Sequence, residues 1–151
     1  MVSIAIEDPA GPEIAALLGR SDAYSASLYP PESRHQADVC SLKAANVRFF
    51  VARSAGTAVG CGALVIGTDK SAELKRMFVD PAARGQGIGR AVMQAIEAAV
   101  SSAGVRLLRL ETGIHNVEAL SLYRRFSYVE CGPFGNYRDD PLSVFMEKSF
   151  A

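Results

Sequence analysis

One stretch constrains this chain more than any other. Arg84-Gly85-Gln86-Gly87-Ile88-Gly89-Arg90 stands directly before a run in which Ile88, Ala91, Val92, Ala95, Ile96, Ala99 and Val100 are apolar. The spacing i, i+3, i+4, i+7, i+8 and onward predicts a helix that buries one face over about three turns. Gly104 follows as a C-terminal cap. Ser71 to Val79 reads as the strand before the loop, so the centre of the chain is a strand, a glycine loop and a core helix. Closely spaced glycines let backbone N–H groups converge on one point, and the helix start adds partial positive charge. With Arg84 and Arg90 alongside, the loop suits a pyrophosphate.

The flanking sequence supplies the rest of an α/β domain. Val2 to Ile6 reads as a strand and Pro12 opens a helix carrying Ile14, Leu17 and Leu18. Tyr29-Pro30-Pro31 is a break, and a second helix is predicted from about Ser33 to Ala44. Arg48 to Arg53 and Ala58 to Ile66 read as a hairpin across Ser54-Ala55-Gly56-Thr57. Gly60 and Gly62 inside its second strand mark a bulge or a close approach. In Ser71–Val79 the alternation breaks near Arg76-Met77, as a β-bulge or a strand buried on both faces would make it do. Val105 to Leu110 is a strand and Asn116 to Phe126 a helix with Asn116 as N-cap. Tyr128 to Glu130 and Leu142 to Glu147 are strands separated by a Gly/Pro/Asp-rich loop. The order β-α-α-β-β-β-α-β-α-β-β predicts one domain over residues 1–151, a mixed sheet with helices on both faces.

Composition excludes several alternatives. In 151 residues, 49% hydrophobic and 21% charged content is that of a globular protein, not a disordered chain. Lys+Arg and Asp+Glu are both 16, which argues against bulk nucleic-acid binding and makes any anion site local. Cys40, Cys61 and Cys131 are scattered and form no CxxC, so neither a disulfide framework nor a cysteine zinc site is expected. They read as small buried residues of a reducing compartment. No leader or membrane-spanning stretch is read, so the expected address is the cytoplasm.

The loop has other readings. A P-loop needs GK[ST], and Gly89-Arg90-Ala91 is not that. A dinucleotide fingerprint needs G-x-G-x-x-G; Gly85 and Gly87 fit, but Arg90 occupies the third position, although Glu111 lies about twenty residues on. A plain glycine turn feeding a core helix is the structural alternative.

Val79-Asp80-Pro81-x-x-Arg84-Gly85-Gln86-Gly87-Ile88-Gly89 resembles the acyl-CoA signature of the GNAT superfamily of N-acetyltransferases. Asn116 with Ala119-Leu120-Ser121-Leu122-Tyr123-Arg124-Arg125-Phe126-Ser127-Tyr128 is similar to a second family element, N-x-x-A-x-x-L-Y-x-x-x-G-F, departing at Ser127 and Tyr128. The order of elements matches over nearly the whole chain. Cys131-Gly132-Pro133-Phe134-Gly135-x-Tyr137, Pro141-x-Ser143-Val144-Phe145-Met146 and Pro30-Pro31-Glu32-Ser33-x-His35 further resemble the YsnE-like group of that superfamily.

The resemblance implies a mixed, mostly antiparallel sheet of about six to seven strands. It implies an N-acetyltransferase that uses acetyl-CoA as acyl donor, without a metal, by direct attack in a ternary complex. The strand before the loop would splay from its neighbour and pair Met77, Phe78 and Val79 with the pantetheine arm. Arg84, Gly85, Gln86, Gly87, Ile88, Gly89 and Arg90 would hold the pyrophosphate, and Asn116 and Tyr123 would lie near the thioester.

The chemistry sets further needs. An amine with pKa about 10 must lose a proton, and the departing thiolate must gain one. A phenol can donate it, so Tyr123 is the candidate general acid. Glu73 resembles the position of a family catalytic glutamate, and is equally readable as a glutamate paired with Lys75 or Arg76. Glu111 and His35 are weaker candidates for the base. A backbone N–H near Phe78 would stabilise the oxyanion. The same features would serve a non-catalytic acyl-CoA-binding or sensor module. Tyr29, Glu32, Arg34, His35, Tyr137, Arg138 and Asp139 are expected on the acceptor side, and the acceptor is an amine of a small molecule or a protein. Neither nucleic acid nor a membrane is expected as a partner. A homodimer follows from the family's habit and from no residue here.

Overall fold

In the computed structural model, which describes residues 1–151, the strands are β1 (Val2–Ile6), β2 (Val47–Ser54), β3 (Thr57–Ile66), β4 (Ser71–Val79), β5 (Leu107–Gly113), β6 (Val129–Cys131) and β7 (Ser143–Ser149). They form one sheet in the order β1-β2-β3-β4-β5-β7-β6. Only β4 and β5 pair in parallel; every other neighbour is antiparallel. The helices are α1 (Pro12–Leu28), α2 (Val39–Leu42), α3 (Ile88–Ser102) and α4 (Val117–Arg125). This is the mixed, mostly antiparallel fold that the sequence implied.

Side-chain alternation divides the core into two layers. Phe50, Ala52, Leu64, Leu74, Leu108 and Leu110 face α3, which contributes Ile88, Val92, Met93, Ile96 and Val100. Phe49, Val51, Ala58, Cys61, Ala63 and Phe78 face α1, which contributes Ile14, Leu17 and Leu18. The glycines of β3 allow the close approach of α3. A Cβ at Gly62 would lie 2.9 Å from Ile96 Cδ1 and 3.1 Å from Val92 Cγ1.

The second predicted helix is corrected. In place of one helix over residues 33–44 there is the end of a 3₁₀ turn, Pro31–Ser33, and then the single turn of α2, separated by extended chain. Asp38 starts that turn by accepting from the Ser41 amide at 2.8 Å. Upstream, Ser33 Oγ donates to Asp140 at 2.6 Å, a tertiary contact that overrides weak helical propensity.

The break in β4 is a β-bulge. The register against β3 shifts between Cys61 and Ala63, and Arg76 takes φ +57°. Before it, Ala72 and Leu74 face α3; after it, Phe78 faces α1 and Met77 packs on the α3 side. Arg76 turns toward α1, where it bonds Asp22 at 2.6 Å and the Leu18 carbonyl at 3.2 Å. Cys61 Sγ donates to the Arg76 carbonyl at 3.2 Å.

Candidate active site

The bulge accompanies a parting of the sheet. β4 pairs with β5 only from Ser71–Leu107 to Leu74–Leu110. Beyond that, β5 continues with β7 to Gly113, while Lys75 to Val79 have no partner on the β5 side. The Asp80 amide donates to Val59 of β3 at 2.8 Å. Strand alternation therefore turns the Phe78 amide to β3 and the Met77 and Val79 amides into the gap. A cleft of ≈ 870 Å³ occupies it, lined by β4, the glycine loop, the ends of β5 and α4, and the chain around Tyr29–Gln36.

At one end stands the glycine loop. Asp80 Oδ1 accepts from the Ala82 amide at 3.0 Å and fixes the turn over Pro81–Ala83. The Arg84 amide donates to Pro81 at 3.4 Å. From Gly85 to Arg90 no amide has an acceptor in the protein. Gly85 and Gly87 adopt φ +84° and +72°, the left-handed region that turns successive N–H groups to one side. Gly87 is the N-cap of α3, so these amides coincide with its positive end. Arg84 reaches back to Glu118 at 3.3 Å and lies over the Tyr24 ring at 5.7 Å. Arg90 and Arg125 also line this end.

At the other end is a cluster of carboxylates and phenols. Tyr137 donates to Glu73 Oε2 at 2.5 Å, and Lys75 Nζ lies 2.9 Å from the Tyr137 hydroxyl and 3.5 Å from Glu73. His35 packs edge-on against the Tyr137 ring at 5.3 Å. Glu111, on β5, accepts from Ser143 Oγ at 2.8 Å. Burial pushes its carboxyl above the ordinary range, opposed by the Ser143 bond and the charges of His35 and Lys75, and reinforced by Glu73. Tyr123 on α4 is buried, and its hydroxyl has no hydrogen-bond partner in the protein. Burial first, and the charge of Glu111 second, raise its pKa, so it stays protonated.

The Asn116 side chain does not cap α4. Instead Asn116 accepts from the Tyr29 hydroxyl at 3.1 Å and donates to Thr112 at 3.1 Å. Tyr29 also accepts from the His115 amide at 2.9 Å. The cleft thus gathers Glu73, Met77, Phe78, Val79, Arg84, Gly85, Gly87, Ile88, Gly89, Arg90, Asn116 and Tyr123. Gln86 belongs to the loop but not to the lining, and its side chain accepts from Ser54 at 3.3 Å. Sequence reasoning missed Ser143 as partner of Glu111 and Tyr137 as partner of Glu73. The cysteines are corrected in part: Cys61 is buried, with its thiol pushed up to about 12 by desolvation, but Cys40 is exposed and Cys131 half-buried.

The family model for the acetyltransferase (GNAT) family matches residues 14–128. The chain is 46% identical over 148 residues to an IAA acetyltransferase of Azospirillum brasilense, covering 97% of each. It is 32% identical over 147 residues to the uncharacterised N-acetyltransferase YsnE of Bacillus subtilis, covering 96% of this chain and 97% of that one. Among solved structures, a Klebsiella pneumoniae protein assigned as an acyl-CoA N-acyltransferase superposes with TM-score 0.83 at 38% identity, covering 99% of this chain and 97% of that one.

Proposed function

This chain belongs to the GNAT acetyltransferase family, the acyl-CoA-dependent N-acyltransferases, and from that premise we propose that it transfers the acetyl group of acetyl-CoA to the amine of a small molecule by direct attack in a ternary complex. One observation carries the reading. A single cleft runs from the free amides of residues 85–90, past the unpaired edge of β4, to Glu111 and Tyr123. That is the sequence of environments an acyl-CoA thioester needs, from phosphate donors to a strand edge for the amide-bearing arm to a proton-transfer site. The relative named an IAA acetyltransferase supports a small-molecule acceptor.

Acetyl-CoA supplies an activated acetyl group. The residues of the chain hold it and move protons. The amides from Gly85 to Arg90 receive the pyrophosphate, with Arg84 and Arg90 adding charge. Met77 and Val79 pair with the amide-bearing arm, and one of their N–H groups polarises the acetyl carbonyl.

Tyr137 and Lys75 both engage Oε2 of Glu73, a phenol and an ammonium on one oxygen, whereas Glu111, at the end of the parted strand, is engaged only by the neutral Ser143 hydroxyl. Glu111 therefore takes a proton from the acceptor nitrogen, directly or through one water. As the C–N bond forms and the C–S bond breaks, Tyr123 gives its proton to sulfur. The proton on Glu111 then restores the phenol, leaving an amide and a free thiol.

Calorimetric titration of acetyl-CoA into wild type and Arg84→Ala, followed by thiol-release assays over an amine panel, tests this. Saturable binding that Arg84→Ala weakens, with transfer to an amine, is expected. A folded protein that binds no acetyl-CoA overturns it.

A further inference from the structure

We propose that the acceptor is an amine that also carries a carboxylate, and that Arg34 holds that carboxylate. The proposal rests on the acetyltransferase reading and deepens it. At the acceptor end of the cleft, the other full cations already have carboxylates: Lys75 has Glu73 at 3.5 Å and Arg76 has Asp22 at 2.6 Å. Arg34 lines the same cleft and takes part in no ion pair. No protein group bonds any nitrogen of its guanidinium; its Nε is buried, as are those of Arg76 and Arg109, which leaves the terminal nitrogens for a ligand. A guanidinium with no protein partner offers two parallel N–H bonds from its terminal nitrogens that a carboxylate matches.

The segment that carries Arg34 is pinned on both sides. Ser33 is bound to Asp140 at 2.6 Å, and His35 is packed on Tyr137. The cation is therefore held at the cleft wall by contacts that do not use its own charge. Glu73 and Glu111 share this end, which favours a monoanion over a dianionic phosphate. Arg34 and Glu111 line the same cleft, so a carboxylate held on Arg34 leaves the amine of the same molecule free to approach Glu111.

The test uses acceptor pairs that differ only in the carboxylate: phenylalanine with phenethylamine, β-alanine with ethylamine, 4-aminobutyrate with propylamine. Wild type, Arg34→Gln and Arg34→Lys are assayed for kcat/KM, and acetyl-CoA affinity is measured by calorimetry as a folding control. We expect the carboxylate-bearing member of at least one pair to be preferred by about 10²-fold or more. Arg34→Gln should collapse that preference through KM, Arg34→Lys should restore part of it, and neither should change acetyl-CoA affinity. Equal use of the plain amines, or a preference that survives in Arg34→Gln, overturns the inference while leaving the acetyltransferase reading intact. Acetyl-CoA binding without transfer to any member of either series overturns that reading and the inference with it.

Discussion

Tyr137 and Glu73 are joined by a short hydrogen bond, 2.5 Å from the phenol oxygen to Oε2, with Lys75 Nζ 2.9 Å from the same phenol. Both partners sit on Oε2, so that oxygen is already occupied in the folded protein. Glu73→Gln should therefore lower kcat by less than about 10-fold, and Glu111→Gln by about 10²-fold or more. Thiol-release kinetics at saturating acetyl-CoA separate the two. The reverse ranking would return the base to Glu73.

The raised carboxyl of Glu111 fixes the direction of the pH profile. A base must be ionised, so kcat/KM should fall as pH is lowered through the Glu111 pKa. That limb should lie above the ordinary glutamate value of about 4.3. Glu111→Gln should remove the limb and lower the plateau. A profile unchanged in Glu111→Gln would take Glu111 out of the proton path.

Tyr123 sits buried on α4 with its phenol held protonated by desolvation. Tyr123→Phe keeps the ring that packs edge-on against Tyr128 at 6.0 Å and removes only the donor. Turnover should drop by about 10²-fold with acetyl-CoA affinity within about 2-fold. Calorimetry beside steady-state kinetics reads both. Unchanged turnover would remove Tyr123 as the acid without touching the enzyme class.

What the sequence showed follows the range of the forces involved. The loop and the stripe of α3 are local patterns, set by backbone φ and helical period, and both were legible. The break at Arg76 was visible as lost alternation, although its positive φ was not. The stretch from Ser33 to Ala44 was misread because its conformation is fixed from afar: Ser33 is tied to Asp140, 107 residues away, and His35 to Tyr137. The same distance problem hid the partners of the two carboxylates. Glu73 meets Tyr137 64 residues on, and Glu111 meets Ser143 32 residues on, each across intervening helices and strands. Residue types at the site could be read from motifs, but their occupancy by neighbours required the fold.

Arg84 and Gly87 should fail in different ways. Arg84 is exposed and its pair with Glu118 is a surface contact, so Arg84→Ala should leave thermal stability nearly unchanged while weakening acetyl-CoA binding. Gly87 has φ +72° with open space around its Cβ position, so an alanine there meets no clash but adopts a left-handed backbone. Gly87→Ala should cost about 1–2 kcal/mol of stability and also weaken binding by placing a methyl beside the free amides. Thermal melts with calorimetry distinguish the two. A destabilised Arg84→Ala would mean that the side chain supports the loop rather than the ligand.

Gly113 and Tyr29 should behave as one unit. A Cβ at Gly113 would lie 1.9 Å from the Tyr29 hydroxyl and 2.1 Å from its Cζ, so Gly113→Ala must displace the ring. The displaced phenol loses its bonds to Asn116 and to the His115 amide, a combined cost of about 2–3 kcal/mol. Because Asn116 also holds Thr112 at the end of β5, the change reaches the cleft and should raise the acceptor KM. Tyr29→Ala alone should cost more, about 3–5 kcal/mol, because it also removes a buried ring stacked on His115. In Gly113→Ala/Tyr29→Ala the clash is gone, so the double variant should be little worse than Tyr29→Ala, a coupling visible in denaturant melts. Additive losses in that cycle would show that Gly113 is required for its own backbone and not for the seat of Tyr29.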